Sequence, residues 1–157
     1  MTITVAEGPR LLMPGMANFE PGIERYRITG GAVTAVLLGP GDRLEVIDPE
    51  GCQPVEVAAF DRNGNSDPGL LGESSGAPAT GIAAILSGNQ HDARRVADAL
   101  AVKGIDLGSA TAVHLFAPDS PAAETAWLTA SADVVCVIGV PGSKMSPDEQ
   151  NPPTDII

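Results

Sequence analysis

Glu50, Gln53 and Glu56 fall within one short stretch, Gly41–Phe60, and their types suit the recognition of a cation. Two carboxylates and an amide match the forked donors of a guanidinium or a cationic amine. The same residues also suit the polar surface of an ordinary turn. His91-Asp92 is a second candidate, because a carboxylate beside an imidazole can orient it for acid–base work. Read as structure instead, Asp92 caps a helix and His91 is a loop residue. His114 alternates on a strand and reads as a structural histidine. Cys52 has no His or Lys beside it in sequence to favour a thiolate, and Cys136 sits in the apolar run Asp133–Val140. Ser120 precedes a proline and lacks the Gly-x-Ser-x-Gly setting of a nucleophile elbow. Gly30-Gly31 and Gly39-Pro40-Gly41 open no helix, so they read as turns rather than as a phosphate loop.

The elements that must carry these residues are short. Leu44 and Val46 alternate with polar neighbours, and so do Val55 and Val57, the period of half-buried strands. Asp48-Pro49-Glu50-Gly51 lies between them, with Pro49 presetting φ and Gly51 tolerating the left-handed region, which predicts a β-hairpin. Glu24–Thr29 and Ala32–Leu38 precede it as strands joined by Gly30-Gly31, so the simplest arrangement is an antiparallel meander. Prolines and glycines through Met1–Gly22 leave room only for an arm on the surface of a single domain over 23–157.

Two helices are expected after a polar loop at Asp61–Gly69. Ile82, Ile85 and Leu86 recur at helical spacing, with Thr80 as the cap and Gly88 as the stop. Ala93, Val96, Ala97, Leu100 and Ala101 form the apolar face of the second helix, which Gly104 terminates. Thr111–Phe116, Glu124–Ala130 and Asp133–Val140 read as further strands. Ser146-Pro147-Asp148-Glu149 has the form of a capping box, and the apolar run at Asp155-Ile156-Ile157 suggests a domain excised from a longer chain. The predicted fold class is therefore α+β and β-rich: mainly antiparallel sheet or sandwich, with two short helices packed on one face.

Composition narrows the function classes. Hydrophobic residues make up 43% of the 157 residues but aromatics only 3%, so the core must be aliphatic, with Trp127 and three Phe as its few large pieces. A formal charge of −11 repels phosphate backbones and anionic lipid. Nucleic-acid and membrane partners are accordingly disfavoured, while a cation or a basic partner is tolerated and a homo-oligomer stays open. No apolar run approaches the roughly 20 residues of a membrane span, and no signal peptide is visible, which fits a cytoplasmic chain. Two His and two Cys without Cys-x-x-Cys or His-x-x-His spacing offer no closed zinc site.

Tyr26-Arg-Ile-Thr-Gly-Gly31, Gly41-Asp-Arg-Leu44 and Asp48-Pro-Glu-Gly-Cys-Gln53 with Glu56 and Phe60 resemble the urea carboxylase-associated family of domains of unknown function. That family carries a Gly-x-Gln-x-x-Asp pattern, in which Gly51, Gln53 and Glu56 take the corresponding places, with Glu for Asp. Met13–Tyr26, Leu115-Phe116 with Asp119-Ser-Pro121, and Met145–Gln150 with Thr154-Asp155 are similar to its divergent form fused ahead of a glycine cleavage T protein-like aminomethyltransferase. The resemblance implies an accessory or ligand-gating domain, without a cofactor of its own. Its partner would be a C-terminal transferase domain of the same parent chain, which would hold tetrahydrofolate. Glu50, Gln53, Glu56, His91 and Asp92 would then serve a small cationic methylamine. Two other classes stay open: a hydrolase or deiminase acting on urea- or guanidine-like compounds, and a small-ligand binding domain.

Overall fold

The structure, a computed structural model, describes residues 17–18, 24–73, 75–88, 91–141 and 154–157. Ten strands are present among them: β1 (Ala17–Asn18), β2 (Glu24–Ile28), β3 (Val33–Leu38), β4 (Arg43–Asp48), β5 (Val55–Phe60), β6 (Ala77–Pro78), β7 (Thr111–Leu115), β8 (Glu124–Thr129), β9 (Val134–Gly139) and β10 (Thr154–Ile156). They form two five-stranded sheets, in the orders β1-β2-β10-β4-β8 and β3-β9-β5-β7-β6. Every pairing is antiparallel. Helices α1 (Thr80–Leu86) and α2 (His91–Val102) lie on the free face of the second sheet. The β-rich α+β class, with two short helices on one face, is what the sequence predicts. Of the arm expected over 1–22, Ala17–Asn18 is described, and it is paired to β2. The rest of that arm and the capping box at Ser146–Glu149 lie outside the described residues.

Three layers create two cores. Tyr26, Ile28, Leu44, Val46, Leu128 and Ile156 of the first sheet meet Val36, Leu38, Val55, Val57, Cys136 and Ile138 of the second. On its other face the second sheet turns Val33, Ala35, Ala58, Phe60, Ala112 and Val137 toward Ile82, Ala93, Val96 and Leu100 of the helices. The strand sequences follow from this. A strand covered on one face alternates, as Arg43-Leu-Glu-Val-Ile-Asp48 does. A strand covered on both faces is apolar throughout, as Val-Val-Cys-Val-Ile-Gly is in β9. Trp127, expected in the core, is instead 48% exposed on β8, with the Arg43 guanidinium 5.1 Å from its ring centroid. The large buried positions are taken by Phe60 and by aliphatic side chains.

The predicted hairpin and meander are corrected. β4 pairs with β10 and β8, whereas β5 pairs with β7 and β9, so the strands on either side of Asp48–Gly51 belong to different sheets. The turns at Gly30-Gly31 and Gly39–Gly41 likewise pass the chain from one sheet to the other. Alternation and turn residues are common to a hairpin and to a corner between layers, and the choice is made by long-range pairing. At this corner the buried Asp48 carboxylate accepts hydrogen bonds from Gly51 N–H at 3.0 Å, Gln53 N–H at 3.0 Å and Ser120 Oγ at 3.1 Å. Gly51 and Cys52 both adopt left-handed φ, 83° and 62°. That costs little at glycine but strains Cys52. Cys52 is held there by its N–H donating to the carbonyl of Ser120 at 3.0 Å.

Asp48→Ala would leave three donors without their acceptor in a buried setting, at about 1–3 kcal/mol for each donor that stays unsatisfied. We expect a net loss of roughly 3 kcal/mol or more in urea denaturation. Glu50→Ala, at the exposed tip of the same corner, should change stability by less than about 0.5 kcal/mol.

Candidate functional site

β5 places Val55, Val57 and Ala59 in the inter-sheet core, so Glu56 must point the other way, toward α1. Few carboxylates occupy such a position: Glu56 is only 3% exposed. Its Oε2 accepts from Ile82 N–H at 3.1 Å, in the first turn of α1. That contact corrects the expected cap. Ala79 holds the N-cap position and makes no side-chain cap bond, and Thr80 is already helical. A carboxylate from the neighbouring sheet takes over the role that a local side chain usually fills. The geometry requires Gly81, where a Cβ would overlap Glu56 Oε2 and stand 2.5 Å from Pro141 Cγ.

Glu56 Oε1 is buried and has no hydrogen-bond partner among the described residues. The group nearest in charge is His114, directly opposite Glu56 in the β5–β7 register, with its Nε2 3.8 Å from Oε1. The His114 side chain is 47% exposed. Burial pushes the Glu56 carboxyl above its usual range, partly offset by His114 and by the backbone N–H groups of Ile82 and Gly81. The pair thus joins a carboxyl that favours its proton to an imidazole at the surface, the two parts of a proton-handling site.

The other sequence candidates divide. Gln53 is buried, and its Nε2 donates to the carbonyls of Pro54 and Pro141, both at 3.0 Å, so its amide hydrogens tie the corner to the end of β9. Glu50 is exposed while Glu56 is buried, and the two do not make one carboxylate fork. His91 and Asp92 are exposed in the first turn of α2, where the carboxylate complements the helix dipole. His114, read as structural in the sequence, is the residue that the fold brings to Glu56. The available signal was a lone Glu in Val55–Phe60 and a lone His in Thr111–Leu115; what joins them is the β5–β7 pairing, which no local pattern encodes. Cys136 is fully buried, which raises its thiol pKa to about 12, far from thiolate chemistry. Among the described residues no three His, Cys, Asp or Glu converge as metal ligands. No helix among them is long and apolar enough to cross a membrane.

No family model matches the chain. It is 35% identical over 147 residues, 93% of its length, to the trimethylamine-oxide aldolase of Ruegeria pomeroyi. The chain spans 18% of that curated relative. This similarity corrects the expected function. An accessory domain of a folate-dependent aminomethyltransferase was implied by resemblance, whereas the protein matched across nearly the whole chain is named an aldolase, which is a lyase and not a transferase. The expectation of tetrahydrofolate in an adjoining domain stood on that same transferase reading.

Two outcomes follow from this geometry. Gly→Ala in an open helix stabilises by about 1 kcal/mol. Gly81→Ala should instead destabilise by about 1–3 kcal/mol in urea denaturation, because the methyl displaces the capping carboxylate or the Pro141 ring. The raised carboxyl also fixes a sign. Folded Glu56 holds its proton to higher pH than the unfolded chain does. Its contribution to stability is therefore complete below about pH 4 and is lost as pH rises through the folded value. Glu56→Gln, a mimic of the protonated form, should flatten that part of the stability–pH curve measured by chemical denaturation.

Proposed function

We propose that this chain is a folded segment of a lyase that acts on a small amine N-oxide, with aldolase chemistry that releases an aldehyde and an amine. The observation that carries this reading is the 35% identity to a trimethylamine-oxide aldolase over 93% of the chain. The chemistry is internally balanced. The atoms of trimethylamine oxide equal those of formaldehyde plus dimethylamine: one methyl carbon is oxidised to the aldehyde level while the N–O bond is reduced, and no external oxidant enters. Cleavage of this kind needs protons delivered and removed, and Glu56 with His114 is a pair able to do so. The substrate class also suits a chain of formal charge −11, because an N-oxide is neutral overall and is not repelled as an anion would be.

Incubation of the protein with trimethylamine oxide, followed by assay of formaldehyde and dimethylamine, tests the proposal. Equimolar release of the two products is expected. Demethylation that requires an added acceptor and yields no free aldehyde would overturn it.

A further inference from the structure

We propose that Glu56 and His114 form a carboxyl–imidazole dyad that binds the oxide oxygen of a small amine N-oxide, with a His114 ring N–H as the donor. The ligand class rests on the lyase reading above; the dyad itself rests on geometry. β5 and β7 pair so that Glu56 stands directly opposite His114, on the face of the sheet that carries the helices. Glu56 is held at one oxygen by Ile82 N–H, and its other oxygen is buried without a partner among the described residues. That second oxygen lies 3.8 Å from His114 Nε2, too far for a full hydrogen bond yet close enough to orient the ring. The histidine is about half exposed and the carboxylate is not, so a ligand meets the imidazole while Glu56 acts from behind it.

Among the described residues, the elements beside this pair bring it little charge, and the ionisable side chains of α2 (His91, Asp92, Arg94, Arg95 and Asp98) are exposed. α1, with the sequence Thr-Gly-Ile-Ala-Ala-Ile-Leu, brings no ionisable side chain, and β9 brings only Cys136, which is buried in the inter-sheet core. β6 contributes Ala77 and Pro78 only. Gln53 is neutral and its amide hydrogens are already committed. An N-oxide presents an oxygen with partial negative charge that accepts an imidazole N–H, and its apolar methyl groups need no partner of their own. The parent amine is an ammonium ion near neutral pH, with an N–H to donate and no lone pair to accept one. The dyad thus separates the oxide, a hydrogen-bond acceptor, from the ammonium, which can only donate.

NMR of the two histidine rings and the Ile82 amide during titration of the chain provides the test. Trimethylamine oxide should move the His114 ring saturably and leave the exposed His91 ring in place, while trimethylamine should move neither. Glu56→Ala should weaken the response about tenfold, the worth of the contact that orients the ring. Should that variant fail to fold, His114→Gln at a half-exposed position serves instead, and it should abolish the ligand-induced shift of the Ile82 amide. A His114 ring that moves no more than His91, or an undiminished response in either variant, overturns the dyad. Saturable His114 shifts without aldehyde release would retain the dyad and sink the lyase reading. Aldehyde release with an unmoved His114 would do the reverse.

Discussion

The Asp48 carboxylate is the constraint on which the remaining geometry depends. It stands at the end of β4, buried, and gathers two backbone N–H groups and the Ser120 hydroxyl. A carboxylate is costly to bury unless each lone pair finds a donor, so the chain around it has little freedom. Gly51 and Gln53 must turn inward, and Cys52 is carried into a left-handed conformation. The corner then enters β5 in one register only. Side chains on a strand alternate, so a slip of one residue would exchange Glu56 with the apolar residues on either side of it.

From that register the site follows without further local instruction. Glu56 projects among apolar residues and finds the first turn of α1, whose orphan N–H groups it partly satisfies. Gly81 admits it by having no side chain, and His114 meets it from the next strand. One oxygen is spent on helix architecture and the other is withheld from any partner described. A buried polar atom left unpaired costs stability, and proteins tolerate that cost most often where chemistry uses it. The same carboxyl therefore links the seating of α1 to the placement of a surface imidazole.

Much of this fold is legible in the residues. The strands at Val33–Leu38, Arg43–Asp48 and Val55–Phe60, and the apolar face of α2 at Ala93, Val96 and Leu100, coincide with their hydrophobic periods. Pairing partners are not legible, because Asp-Pro-Glu-Gly serves a hairpin and an inter-sheet corner equally well. The difference between β4, alternating, and β9, apolar throughout, did contain the information that two distinct layers exist. Glu56 was visible as a candidate and His114 as a residue, but their adjacency depends on β5 meeting β7. Gln53 looked like a ligand donor because amides often are; its carbonyl partners, Pro54 and Pro141, belong to contacts that only the folded chain creates.

β10 occupies the middle of the first sheet, with Ile156 opposite Tyr26 on one side and Val46 on the other. In a chain made from its N-terminus, β2 and β4 therefore emerge long before the strand that joins them. Until then each offers an unpaired edge beside apolar side chains such as Ile28 and Leu44. The second sheet can assemble earlier, since β9 joins β3 to β5. The order of synthesis thus sets the order of closure: the layer that bears Glu56 and His114 forms first, and the outer layer is sealed last by a strand of three residues, Thr154–Ile156.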